Sequence, residues 1–328
     1  MRTAVVLGAG GFTGQAFHAG ALCALEEVAG FDAREAHVLV GTSAGSLVAA
    51  GLAGGLAASD LTAELLGDPL SEEGQLRRTA ARGQVEAASA IPEPGSAGRW
   101  PLDPLVLLRV ARRPFRSRPA AVVSSLLPPG RVDTAPLARS VRYLHGNTWP
   151  DRDLRICAVR ARDARRVVFG TPRAPRTDVG TAVAASCAIP AYFAPVRIDG
   201  HSYVDGGMHS PTNADVVLRD APDLVVVLSP MSVGSGVGLR PDLGVRLAMK
   251  RRLNGELRRL RRAGMRTLVI EPGRDDLAVM GFNPMHGGRI DEVVETVAAS
   301  VRAHLERHPD VLELLAAAGP AGRLETAR

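Results

Sequence analysis

A chain of 328 residues that is 46% hydrophobic can bury one large α/β core or two small ones, and with 4% aromatics that core must be built from Val, Leu, Ala and Ile. The net charge of +6 rests on 39 arginines and one lysine, Lys250; this reads as a GC-rich coding bias that permits mild attraction to an anionic lipid surface, and no recognition motif for nucleic acid goes with it. Cys23, Cys157 and Cys187 are too scattered for a disulfide framework or a zinc site, and the chain has neither a bilayer-long apolar run nor the features of a signal peptide, so the predicted location is cytoplasmic with peripheral membrane contact.

Residues 3–7 form a short β-branched run, the first predicted strand. Gly8-Ala9-Gly10-Gly11-Phe12-Thr13-Gly14 follows, then an apolar helix over 15–28. Strand, glycine-rich loop and helix together make an anion cradle of exposed N–H groups at a helix N-terminus. Gly8, Gly11 and Gly14 fit a variant dinucleotide loop, an oxyanion cradle, or a turn that merely needs small residues. The dinucleotide reading wants an acidic residue at the end of the next strand. That strand, 38–40, runs instead into Gly41-Thr42-Ser43-Ala44-Gly45, and no tyrosine is followed four residues later by lysine.

Residues 54–82 read as helix with a break at Gly67-Asp68-Pro69, and 82–101 as a flexible Gly/Ala/Ser/Pro-rich loop. An amphipathic helix is predicted over 102–113, and Val122, Val123, Leu126 and Leu127 lie in an irregular stretch that reads as a small subdomain or a lid. A helix over 134–144 has Thr134 as its cap and Pro136 in its first turn. Strands 154–159 and 166–169 form a hairpin; a helix capped by Thr177 or Asp178 runs to about Ser186, before Pro190. Strands 196–198 and 202–204 flank the turn Asp199-Gly200, and Asp205-Gly206-Gly207 ends the second. A helix over 211–218, an all-apolar central strand over 224–228, a long basic helix over 239–263, a strand over 267–270 and a helix over 290–305 complete the chain. The alternation predicts a three-layer α/β/α fold with a mostly parallel sheet, one domain over 1–328 with a helical or irregular insertion around 60–150 and residues 219–328 completing it.

The G-x-S-x-G stretch between strand and helix is the sharpest chemical signal. A serine on such a turn presents its hydroxyl outward, beside a helix N-terminus that can stabilise an oxyanion. The plain alternative is a tight turn with Ser43 as N-cap. A nucleophilic serine needs a base, and Asp205, at a strand end beside two glycines, is one candidate. A Ser-Asp-His arrangement using His286, or His209, is another.

Four separated stretches together resemble the patatin-like phospholipases, bacterial type. Gly8–Gly14 resembles the family's oxyanion loop and Gly41–Gly45 its G-x-S-x-G. Ala185-Ser186-Cys187-Ala188-Ile189-Pro190 resembles its Ala-Ser-x-x-x-Pro block, and Asp205-Gly206-Gly207 its Asp-Gly-Gly block, all in family order. Pro211-Thr212-Asn213-Ala214-Asp215 is similar to bacterial members too. The resemblance implies a Ser43–Asp205 dyad without histidine. It also implies an oxyanion hole from the backbone of Gly10, Gly11 and Ala44, supported by Gly8, Gly14, Gly41, Gly45, Gly206 and Gly207. The implied activity is hydrolysis of lipid or other acyl esters through an acyl-enzyme, with no cofactor and no metal. Two departures stand out: Thr13 sits where many members carry a basic residue, and Ala9 replaces a loop glycine, so it must avoid positive φ. A nucleotide-binding protein and a silent lipid-binding relative are the competing readings.

Overall fold

In the computed structural model, which describes residues 1–80 and 130–319, β1 (Thr3–Leu7) and β7 (Leu224–Leu228) are buried along their whole length. Apolar on both faces, they can only be central strands. They pair in parallel, with β2 (Val38–Thr42) beyond β1 and β8 (Arg266–Ile270) beyond β7, also parallel. β3 (Asp153–Arg160) joins β2 in parallel. β4 (Arg165–Phe169) and β6 (His201–Asp205) both run antiparallel to β3, and β5 (Val196–Ile198) is antiparallel to β6.

β3 thus has three partners but only two edges. β4 covers Ile156–Arg160, overlapping the stretches taken by both β2 and β6, so β4 holds one edge alone. β2 and β6 share the other edge, end to end: Thr42 pairs with Cys157 and Asp205 with Ala158. Two strands far apart in the chain therefore meet head to head.

The alternation of side chains divides the core. Val5 and Leu7 face the larger apolar cluster, under α1 (Gly11–Ala29), α2 (Ala44–Ala53), α6 (Val179–Ser186) and α9 (Ile290–Arg307). Ala4 and Val6 face a smaller one, under α7 (Leu243–Arg262) and a 3-10 turn at Ala214–Arg219. This is the predicted three-layer fold, with helices on both faces of a mostly parallel sheet. α3 (Ala58–Leu66), α4 (Glu72–Ala80) and α5 (Ala135–His145) flank residues 81–129, and the predicted loop 82–101, helix 102–113 and residues Val122 to Leu127 lie outside the described residues. No helix among the described residues is long and apolar enough to cross a membrane.

Several boundaries differ from expectation. α1 begins at Gly11, not at residue 15, because Gly14 N–H already closes the first turn onto Gly10 O at 2.8 Å. The helix expected over 211–218 is only the short 3-10 turn. Asn213 takes the left-handed conformation (φ 54°) and spends its side-chain amide on Ser210 O and Thr42 Oγ1, which prevents a regular start. α7 begins at Leu243 rather than 239, since Pro241 disfavours helical geometry at Arg240. Thr134 occupies the N-cap of α5, but the capping oxygen is Asp133 Oδ1, which accepts from Ala135 N at 2.9 Å. α8 (Arg274–Met280) and α10 (Pro309–Ala318) are additional to the predicted elements.

α7 connects the parallel neighbours β7 and β8, so it must run opposite to them. It starts at the sheet end where Ser43 lies and carries Arg258, Arg259, Arg261 and Arg262 to the far end, where Arg261 donates to Thr267. Arg246 near its start is buried, paired with Asp242 and donating to Pro230 O and Ser232 O. The helix's densest charge is thus remote from Ser43.

Candidate active site

The parallel strands β1 and β2 end together, and both continue into helices. The β2–α2 turn holds Ser43 at φ 52°, ψ −123°, a conformation costly for a residue with a side chain. Its surroundings enforce it. Gly45 N–H donates to Gly8 O at 3.1 Å, and a Cβ on Gly45 would stand 2.1 Å from Leu7 O, so only glycine lets α2 approach β1 this closely. Gly41 lies inside β2. Ser46 Oγ donates to Ser43 O at 2.6 Å.

Ser43 Oγ donates to Asp205 Oδ2 at 2.6 Å, the length of a strong charge-assisted bond. Both residues are buried. The other carboxylate oxygen accepts from Gly207 N–H at 2.6 Å, which fixes its angle. Gly206 O accepts from Asn213 Nδ2, tying the Asp205 loop to Thr42 at the end of β2. Burial pushes the Asp205 carboxyl up to about 6 from its usual 3.8, against the bonds from Ser43 and Gly207 that pull it down. Such a group is ionised at neutral pH yet basic enough to take a proton.

α1 and α2 both begin at this point. Gly11, Ser43 and Ala44 line one small pocket with Phe12, Cys187 and Met285. Among the described residues, no acceptor meets the N–H groups of Gly10, Gly11 or Ala44. Gly11 sits at φ 60°, and a Cβ there would stand 2.4 Å from Pro284 O. Gly8 N–H donates to Leu228 O, and Ala9, which keeps out of the positive-φ region, donates to Pro211 O. Thr13 is buried, its hydroxyl turned back toward Gly10 O. Cys187 does not compete as a nucleophile, since burial pushes its thiol up to about 12.

A larger, mostly apolar cleft of about 430 Å³ between α1, α2, α3 and α5 lies beside this pocket and shares Phe12, Gln15, Leu47 and Leu137 with it. Gly51, Leu61 and Leu65 line it farther along.

The two histidines are not brought in. His286 sits exposed on the loop before α9, its N–H on Asn283 O, and makes no hydrogen bond to Ser43 or Asp205. His209 meets Arg252. With Ser43 and Asp205 bonded directly, no space for an imidazole is left between them.

Residues that sequence reasoning gave no role also build the site. Ser186 Oγ accepts from Ser43 N at 2.8 Å and donates to Cys157 O at 2.6 Å, filling the gap where β2 leaves β3. His18, fully buried and lowered to about 4 by that burial, is neutral and donates from Nε2 to Gly8 O. Pro284 O accepts from Thr13 N. Ser186 lies in the Ala-Ser-x-x-x-Pro block and Pro284 in the His286 loop; nothing local marks His18.

A family model described as patatin-like phospholipase matches residues 5–218. No curated protein matches the chain. Among solved structures, VipD from Legionella pneumophila is 16% identical, covering 94% of this chain and 67% of its own, with a TM-score of 0.43. The type III effector protein ExoU is 18% identical, covering 93% and 53%, with a TM-score of 0.36. The ExoU–SpcU complex from the type III secretion system of Pseudomonas aeruginosa is 20% identical, covering 94% and 51%, with a TM-score of 0.35. The chain therefore spans two thirds of the first of these proteins and about half of the others.

Proposed function

This chain belongs to the patatin-like phospholipase family, and from that premise we propose that it is a serine-dependent acyl hydrolase of lipid esters working through a Ser43–Asp205 dyad. The observation that carries the reading is the 2.6 Å bond between the serine hydroxyl and a buried, ionised carboxylate. Asp205 takes the proton of Ser43 as Oγ attacks the ester carbonyl. The carbonyl π pair moves onto oxygen, and that oxyanion is met by the N–H groups of Gly11 and Ala44, with Gly10 beside them. When the tetrahedral adduct collapses, the C–O bond to the alcohol breaks and Asp205 returns its proton to the leaving oxygen. A water then attacks the acyl-enzyme, gives a proton to Asp205, and releases the fatty acid as Ser43 recovers that proton.

The cleft beyond Leu47 and Leu137 suits the acyl chain, being mostly apolar and adjacent to the Ser43 pocket. The route needs no cofactor. Fluorophosphonate labelling followed by peptide mapping, run beside a panel of lipid esters, tests the whole reading. The expected result is label on Ser43, ester turnover, and loss of both in Ser43→Ala. Label elsewhere, or turnover that survives in Ser43→Ala, would overturn it.

A further inference from the structure

The mouth of the Ser43 pocket lies at the sheet end where the parallel strands finish; the loop that follows β7 emerges at that same end, and the loop that follows α8 is held to it through Arg240. Those two loops carry an oddity. Leu239 is 99% exposed and Phe282 60% exposed, although neither loop lacks polar residues that could have taken those places. They are not loose. Arg240 lies with its guanidinium 5.0 Å from the Phe282 ring centre, donates to Leu277 O and Gly281 O, and pairs with Asp242. One arginine therefore clamps the two loops together and holds two large apolar side chains out toward solvent. Such a pair, rimmed by charge, marks an interaction surface more than a folding residue.

The loop bearing Phe282 also serves the site. Two residues on, Pro284 O braces the glycine loop through Thr13 N, and Met285 lines the Ser43 pocket. Residues 238–252 hold five basic side chains, Arg240, Arg246, Lys250, Arg251 and Arg252, against one acidic, Asp242. Much of the charge beside the pair is neutralised by pairing, Arg240 and Arg246 with Asp242 and Lys250 with Glu271, which leaves the exposed Arg251 and Arg252 to face an anionic surface.

We propose that Leu239 and Phe282, held by Arg240, form a shallow anchor that seats the mouth of the Ser43 pocket on an anionic lipid bilayer. The claim rests on the lipid-hydrolase reading of that pocket for its biological sense, but the anchoring itself does not depend on catalysis. The apolar pair enters the headgroup boundary while the exposed Arg251 and Arg252 meet lipid phosphates, the arrangement by which peripheral proteins bind interfaces. It also differs from docking through the basic end of α7, which would turn the pocket away from the membrane.

Vesicles of phosphatidylcholine, alone or with phosphatidylglycerol, test it by sedimentation. Wild-type protein should bind the anionic vesicles several-fold more tightly than the neutral ones. The double variant Leu239→Ser/Phe282→Ser should lose at least tenfold in vesicle affinity and in hydrolysis of vesicle lipid, while hydrolysing a water-soluble short-chain ester at the wild-type rate. A second variant, Leu239→Trp, should gain fluorescence quenched by brominated lipid. Unchanged vesicle affinity in the double variant, equal binding to neutral vesicles, or an unquenched tryptophan would each overturn the anchor. A wild-type protein that binds vesicles as described but hydrolyses no ester would leave the anchor standing and remove the hydrolase reading instead.

Discussion

Replacing Asp205 by Asn should abolish activity and stabilise the fold at the same time, and the stabilisation should depend on pH in a calculable way. In the folded protein the carboxyl holds its proton up to about pH 6, whereas in the unfolded chain it releases it near 3.8. Between those values the folded state binds more protons than the unfolded one, so stability falls as pH rises. Above pH 6 the full cost is in place, about 3 kcal/mol for a shift of roughly two units. Asparagine removes the charge while its carbonyl keeps the Gly207 N–H bond and its amide can donate to Ser43 Oγ. Asp205→Asn should therefore be more stable than wild type by up to about 3 kcal/mol at pH 7.5, with the gain vanishing below about pH 4. Its ester hydrolysis should fall by roughly 10²–10⁴-fold or more, the usual worth of a general base. Wild-type kcat/KM should show an acid limb near pH 6, rising with pH. Denaturant melts at several pH values and pH–rate profiles measure both arms. An Asn variant that turns over ester at the wild-type rate, or whose stability gain is the same at pH 4 and pH 7.5, would refute the reasoning.

Ser186→Ala should strand two buried backbone groups, Ser43 N–H and Cys157 C=O, at about 1–3 kcal/mol each. Urea denaturation should show a loss of stability of that order, and steady-state kinetics a lower kcat at little-changed KM, because the strained turn under Ser43 relaxes; wild-type values for both would remove its positioning role. Gly51→Ala should shift acyl-chain preference toward shorter chains, since the added Cβ would stand 2.4 Å from Leu61 Cδ2 and push that side chain into the cleft. Ratios of kcat/KM across an ester series from short to long chains read this directly, and an unchanged ratio would mean the chain binds elsewhere.

What was legible in the sequence was what is decided locally. β1, β2 and β7 announce themselves because strands buried on both faces must be continuous apolar runs, and Ser43 announces itself because its turn is made of adjacent residues. Boundaries failed where a distant partner decides them. The 3-10 turn after Asn213 depends on Thr42 and Ser210, and the first turn of α1 is braced by Pro284, whose carbonyl accepts from Thr13 N from a loop some 270 residues later. Asp205 as the partner of Ser43 came from a resemblance among motifs, because no periodicity links positions 162 residues apart.

The link between them lies in the register of β3. Thr42 and Asp205 face Cys157 and Ala158, consecutive residues whose Cα atoms are about 3.8 Å apart. The ends of β2 and β6 are therefore brought to neighbouring levels on one edge, and Ser43, turned out of line by its positive φ, can only meet the Asp205 side chain directly. A histidine between them would require those strand ends to stand apart by the width of a ring, which the continuous pairing along β3 forbids. At the same junction Ser186 donates to Cys157 O while holding Ser43 N. The proposed two-residue site is thus a consequence of two strands sharing one edge of a third, and the residues that look incidental to the chemistry are those that close the joint.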